Sequence, residues 1–593
     1  MGWGAISLPA AGAARERGLG LRAVALARAA VAAAAAALAV YAVAHCAVEA
    51  ARAPGGREAA GWAALGLAAG APAIVALVAW RGIGRFALTR PAGVIIAACV
   101  LFQGLLASGS YFSGDDWLHL VKADAASGPD AAYLGMPVFI HYAPGLRAGY
   151  WALEHLAPLD WNVGLAALLV LLAGSLVLFH RITLQLFGER RVGLVALLLF
   201  GSSVTLVTSF LWFADGLHKL PSTFLTLLAI HAWLRHREED SKVQLAIAVA
   251  AVGLGLLFYV KVILVPLYLL LIDGLLLGRR PRWTLLAFVP PIAIYLWNYE
   301  AGYAALAGSH PPFALVARYV WIAWYRGVAP ALTGVYVGLD QRTLAIVVAV
   351  AAQLVIAAIA YRTRDAWRAW AFALIVFLVN AAMIGFGRLE SFGFERVAWD
   401  PRYNTELAWL LPLALAAALK GFTWRRRSVG VVGVYAILAV VTGTLMSLWW
   451  RDTQSRAPTA FVENLHSDAT ARTEIIDQPV PQFLVAAVDY PWDRLSRLAP
   501  ALGLNVVQRT GQPRIVGADG HVRPARLYPA GATLRLHRRC GVVDIPGGTP
   551  SLYAEIGYGE RHATLVSLAA PLRLTLPAGE CVRNTAVGWL GPA

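Results

Sequence analysis

The chain has 593 residues, of which 59% are hydrophobic and only 14% charged, with a formal net charge of +16 at pH 7. Soluble domains carry about a quarter charged residues, so this balance excludes an ordinary water-soluble enzyme. The surplus of positive charge falls in clusters between apolar runs, a topological pattern that calls for no nucleic acid.

In chain order, the first apolar run, Ala23 to Val48, is too long for the 7–15-residue core of a signal peptide and reads as a spanning helix that stays. Cys46 follows a bulky His45, which argues against a lipoprotein anchor. At roughly 17–25 apolar residues per span, about thirteen spans are expected. They lie near 23–48, 61–80, 91–110, 162–181, 192–213, 219–235, 243–260, 262–278, 283–299, 342–361, 369–387, 404–420 and 428–450. Arginine-rich clusters at 15–22, 81–90, 181–191, 235–242, 279–282, 362–368 and 420–427 are each separated from the next by two spans. That spacing predicts a plasma-membrane, multi-pass chain with a cytoplasmic N-terminus and an outer C-terminal region.

Three parts follow: additional transmembrane helices over 1–90, a transmembrane catalytic region over 91–450, and an extracytoplasmic region over 451–593. The last is polar and turn-rich, with short alternating runs such as "ATLRLH" and "LRLTL". It predicts a mixed α/β stretch followed by a β-sandwich of about 100 residues. Asp519-Gly520 is a hairpin signal between "RIVG" and "VRPARL". Outside the cytosol, Cys540 and Cys581 are placed to form a disulfide, while Cys46 and Cys99 sit in apolar runs as small hydrophobes.

The chemistry-bearing stretch is "YFSGDDWLHL", residues 111–120, directly after an apolar run. Ser113 and Asp116 fit a capping box opening a short helix. Trp117, Leu120 and Val121 would then face the membrane surface, with His119 and Lys122 toward water. A cap needs one acid and leaves Asp115 unexplained. The functional reading is a general base at the interface, with its neighbour raising its pKa or helping to hold a divalent cation.

This stretch resembles the GT-C superfamily of polytopic glycosyltransferases, which carry an acidic pair in the first large outer loop, as "SGDDW" does here. "DPRYNTELAWLLPLALAAAL" is similar to the Arg-Tyr motif that opens a late spanning helix in bacterial members. "LLFYVKVILVPLYLLL" looks like their mid-chain hairpin, with Lys261 where an acid is often found. The resemblance covers about 91–450. It implies transfer of a sugar from a polyprenyl-phosphate carrier to a glycan or lipid acceptor, with Asp115 as base and Asp116 as its partner. Arg402 and Tyr403 would line the donor site.

Arg388, Arg396 and Lys261 supply further cations at headgroup depth for the donor phosphate. His119, His141 and Tyr142 would shape the acceptor cleft. For each arginine the competing reading is snorkelling to the interface. Asp215, His218 and Lys219 read as a solvated outer turn. Two other classes stay open: a transporter, which would favour ionisable groups at mid-bilayer and interrupted helices, and a polymerase or ligase of lipid-linked glycans.

Overall fold

The computed structural model describes residues 90–592, except 137–141, 189, 304–310, 338–340, 393, 422–425, 471–472, 533, 535, 537–538, 550 and 559–561. The two N-terminal spans expected at 23–48 and 61–80 lie outside the described residues.

The protein is mostly helical, with several apolar helices and a C-terminal β-rich region. The helical part runs α1 (Arg90–Ala107), α2 (Asp115–Asp124), α3 (Pro144–Leu156), α4 (Trp161–Phe187), α5 (Arg190–Gly201), α6 (Val204–Leu211), α7 (Phe213–Glu239) and α8 (Lys242–Leu256). It continues through α9 (Val289–Tyr303), α10 (Phe313–Ile322), α11 (Arg342–Arg362), α12 (Trp367–Phe392), α13 (Leu407–Ala418), α14 (Arg426–Trp450) and α15 (Arg456–Asp468).

Of the eleven spans expected within the described residues, few form as continuous spanning helices. Among the described residues, four helices are long and apolar enough to cross a membrane: Trp161–Phe187, Thr343–Arg362, Arg364–Gly387 and Gly430–Asp468. A fifth is added if the pair Arg191–Gly201 and Val204–Leu211, bent by 42°, counts as one. Several of the expected runs are broken in the backbone, while α7 is continuous but carries too many polar groups to count as a span. Pro290 and Pro291 cannot donate to a preceding turn, so the run at 283–299 splits into a 3-10 stretch, Trp283–Phe288, and α9. The expected hairpin at 243–278 becomes α8, a 3-10 turn Val260–Leu264, a short helix Val265–Leu271 and a π-turn Ile272–Leu276. The run at 404–420 yields only the 12 residues of α13.

Packing separates two kinds of helix. In α4, 56% of the apolar window is buried inside the protein, against 11% in α11. On α11 and α14, Leu354, Val347, Val431 and Leu445 point outward, as side chains do where the surrounding solvent is apolar.

The C-terminal region contains α16 (Leu495–Leu502) and ten strands: β1 (Glu474–Ile476), β2 (Asn505–Val507), β3 (Arg509–Thr510), β4 (Arg514–Val516), β5 (Val522–Ala532), β6 (Val542–Ile545), β7 (Tyr553–Tyr558), β8 (His562–Ser567), β9 (Leu572–Thr575) and β10 (Val582–Pro592). β1 and β2 pair in parallel. The expected sandwich of two matched sheets is replaced by one six-stranded sheet, β3-β8-β7-β10-β5-β4, and a β6-β9 ribbon. The ribbon contributes Val543, Ile545 and Leu574 to a core shared with Ile556, Val566 and Val587. The Asp519-Gly520 turn joins β4 to β5, as its sequence predicts. Gly520 has a φ of +88°, which suits a residue without a side chain.

Cys540 and Cys581 form the disulfide, with a sequence separation of 41. Closing a loop of that length removes about 4 kcal/mol of unfolded-state entropy in the chain-entropy model. The double substitution Cys540→Ser/Cys581→Ser should therefore leave the helical part intact and raise the rate of proteolysis between β5 and β10. Limited proteolysis of wild type under reducing and non-reducing conditions checks this; equal cleavage in all samples contradicts it.

Candidate functional site

The turn into α2 is built from "SGDD". Gly114 has a φ of +55°, a backbone conformation that a side chain would strain. This turn lets the Asp116 carboxylate reach back to the Ser113 N–H at 3.0 Å, so Asp116 completes the carboxylate half of the expected capping box. Its other oxygen accepts from the Tyr150 hydroxyl at 2.6 Å and from the Ala214 N–H at 2.7 Å. Asp116 is fully buried. Burial pushes its pKa up to about 7, against the three hydrogen bonds that favour its charged form.

Asp116 is therefore an anchor, and its oxygens are occupied by donors. Asp115 is the acid of the pair that solvent reaches, its side chain only half-buried. Among the described residues no three His, Cys, Asp or Glu side chains come together as a metal site. With Asp116 committed to three donors, the pair does not fit a divalent cation.

Ala214 opens α7, and the junction before it ties the acidic turn to the cations. Trp212 is extended between α6 and α7. Its ring lies 4.8 Å from the Arg402 guanidinium. Asp215 is buried, accepts from the Ser209 hydroxyl at 2.7 Å, and feels the charges of Lys219, Arg402 and Asp400. Gly216 permits this approach: a Cβ there would sit 2.2 Å from the Ser209 carbonyl oxygen.

One helical turn further on, Lys219 contacts Glu406 at 3.3 Å and the Tyr259 hydroxyl at 2.7 Å. The other Glu406 oxygen binds Lys261 at 2.7 Å, and Lys261 also donates to the Tyr403 carbonyl at 3.0 Å. The two lysines are buried around one carboxylate.

Arg402 stands on a 3-10 turn, Pro401–Asn404, just before α13. Its Nε is 2.7 Å from Asp400, and it donates to the Tyr403 hydroxyl at 3.0 Å. The next residue on this turn, Asn404, lines an apolar cavity of about 460 Å³ with Thr205, Trp324, Ile356, Phe377 and Leu411.

Four of the expected site residues thus meet along one chain of contacts: Asp116, Lys261, Arg402 and Tyr403, with Asp115 beside the first. Others do not follow expectation. His119 is buried rather than turned to water, its ring tilted at 41° to that of Tyr150 with centroids 4.8 Å apart, and its Nδ1 is 3.4 Å from Arg147 Nη1. Burial and then the Arg147 charge hold its pKa well below the usual range, so it is a neutral imidazole packed under the helix. Trp117, Leu120 and Val121 are buried against protein and not laid on a membrane.

Tyr142 meets the Tyr295 ring at 5.9 Å and accepts from its hydroxyl through the backbone carbonyl. Asp215 and Lys219 belong to a buried helix, not to a solvated turn, because Asp116 and Glu406 satisfy its groups from neighbouring elements. His141 lies outside the described residues, as do the side chains of Arg388 and Arg396, which stand on α12 and on the helix Phe394–Trp399.

Glu406 and Trp212 are not singled out by sequence, and Asp215 is read there only as part of a solvated outer turn. For Glu406 a signal existed: "NTELAW" puts an acid at the mouth of an apolar helix, where an ionisable group needs a partner.

Removing the Asp116 acceptor leaves three buried donors, each costing about 1–3 kcal/mol. Asp116→Ala should therefore lower the melting temperature sharply, while Asp115→Asn should leave it near wild type. Thermal unfolding in one detergent tests both; comparable losses would contradict the assignment.

Burial, then the nearby Asp124 charge, raises Glu154 to about 7 as well. Asp116 and Glu154 hold protons in the folded state that the unfolded chain releases near pH 4. Their contribution to stability is complete below pH 4 and is lost as pH rises to about 7. Glu154→Gln should flatten that slope in denaturation measured from pH 4 to 8. No family model matches this sequence, and no curated protein matches it significantly.

Proposed function

We propose that this protein is a membrane glycosyltransferase of the GT-C type. It moves a sugar from a polyprenyl-phosphate carrier to an extracytoplasmic glycan or lipid acceptor. The observation that carries this reading is the adjacency of a solvent-reached carboxylate, an arginine platform and an apolar cavity. A lipid-linked sugar needs all three: water access for its acceptor, a cation for its phosphate and an apolar space for its chain.

In this reaction Asp115 takes the proton of the acceptor hydroxyl as its oxygen attacks the anomeric carbon. The bond from that carbon to the phosphate oxygen breaks, and the phosphate leaves on the carrier with the charge that Arg402 neutralises. Asp116 acts by holding the turn that carries Asp115. Asp400 already sits on Arg402, so donor phosphate binds in competition with a carboxylate. The C-terminal region packs close by: α16 lies against α2, and Lys122 lies 5.5 Å from the centre of the Trp492 ring. An acceptor reaching Asp115 would pass along that region.

A second reading, transport, is favoured by two features: the 42° break between α5 and α6 and the buried Lys219–Glu406–Lys261 cluster. In a carrier, Glu406→Gln would abolish solute flux and Asp115→Asn would not.

The test uses purified protein with a radiolabelled polyprenyl-phosphate sugar. Asp115→Asn should abolish transfer and retain donor binding. Arg402→Ala should raise the donor KM by about 10- to 100-fold, the worth of a hydrogen bond to a charged group. Asp400→Asn should lower the donor KM with kcat little changed, since the competing carboxylate is removed. Undiminished transfer by Asp115→Asn would defeat the proposal.

A further inference from the structure

At the far end of α7 the charge pattern reverses. Arg237, in the last turn of α7, is 3.3 Å from Asp273 and donates to the Arg280 carbonyl at 3.0 Å. Asp273 also accepts the Arg279 N–H through its backbone carbonyl at 2.7 Å. Arg282 pairs with Asp240 at 2.6 Å. These contacts brace the turn 277–282.

A Cβ on Gly278 would lie 3.2 Å from Arg368 Nη1, so this turn touches the one between α11 and α12. Arg279, Arg280, Arg364 and Arg368 are all exposed there. None forms an ion pair among the described residues, and the acid between them in sequence, Asp365, is itself turned to solvent.

Large aromatics frame the arginines. Trp283 is 82% exposed, Tyr361 74% and Trp367 60%. Arg364 and Arg368 lie within cation–π distance of Tyr361 and Trp367. Beyond them the exposed side chains become aliphatic: Leu286 and Val289 after Trp283, Leu374 after Trp367. Arginine, then aromatic, then aliphatic is the order of phosphate, glycerol and acyl chain at a bilayer boundary.

We infer that the two touching turns, 278–283 and 361–368, form a binding site for the headgroup of an anionic glycerophospholipid. Arg279, Arg364 and Arg368 hold the phosphate, and Trp283 and Trp367 flank the glycerol. Charge complementarity commits the site to an anionic lipid, because a zwitterionic headgroup brings its own cation among the arginines. The site lies at the opposite end of α7 from Asp115 and takes no part in the proposed transfer.

The test is native mass spectrometry of the detergent-solubilised full chain titrated with phosphatidylglycerol, phosphatidylcholine or inorganic phosphate. Phosphatidylglycerol should bind at least about tenfold more tightly than phosphatidylcholine. Arg279→Gln/Arg364→Gln/Arg368→Gln should erase that preference, since each arginine near an anionic headgroup is worth about a fivefold factor. If the triple variant does not fold, Arg279→Gln and Arg364→Gln singly should each lower phosphatidylglycerol affinity by about that factor. Equal binding of the two lipids, a preference that survives the substitutions, or displacement of phosphatidylglycerol by equimolar inorganic phosphate would overturn the assignment.

Discussion

One carboxylate caps two helices. Asp116 takes the Ser113 N–H at the start of its own helix and the Ala214 N–H at the start of α7, with the Tyr150 hydroxyl between them. The first N–H groups of a helix have no partner of their own, and Asp116 is buried where water does not reach them. A single side chain that meets this need in two helices fixes their mutual position. Asp115, Trp212 and Asp215 all take their places from that joint. The acid that sequence presents as half of a catalytic pair is thus the structural half, and its half-buried neighbour Asp115 is the one that solvent reaches.

Charge balance follows from the same geometry. Lys219, Lys261 and Arg402 face Glu406, Asp215 and Asp400, three cations against three carboxylates. Removing ions from water is costly unless each is paired and hydrogen-bonded, and this set comes out neutral. An anionic substrate at Arg402 would therefore enter by exchange. The exchangeable partner is Asp400, whose side chain is 20% exposed, in contrast to the deeper Glu406 at 12% between two buried lysines.

The features legible in the sequence are the local ones. The S-x-x-D spacing predicts the capping contact, Asp519-Gly520 predicts the β4–β5 hairpin, and two cysteines in a polar region predict their bond. Lys261 needs a partner because it interrupts an apolar run, and it has one. What sequence does not show is which partner. Glu406 is 145 residues from Lys261, and nothing in either local pattern encodes that pairing. The span count fails for a related reason. Hydropathy measures how apolar a run is, but helix continuity depends on backbone donors. Pro290 and Pro291 divide one such run, and the run at 262–278 forms as 3-10, α and π segments in succession. His119 misleads similarly: amphipathic spacing put it opposite the apolar face, but α3 covers that side with Arg147 and Tyr150.

α7 links the two ends of the molecule and gives them a scale. From Ala214 to Arg237 is 23 residues, about 35 Å at 1.5 Å per residue, which sets how far the two groups of charges stand apart. Lys219 lies only about 8 Å along that axis from Ala214, so the buried ion cluster sits near the Asp116 end of the helix and not at its middle. A cluster at a helix end suits the proposed headgroup chemistry better than an ion path, whose charge would need partners near the middle. At the other end of the same helix Arg237 and Arg282 pair with Asp273 and Asp240, while Arg279, Arg364 and Arg368 on the adjoining turns form no ion pair among the described residues. The two ends of α7 therefore differ: one holds a charge-balanced buried cluster, and the other borders exposed arginines that meet no carboxylate among the described residues.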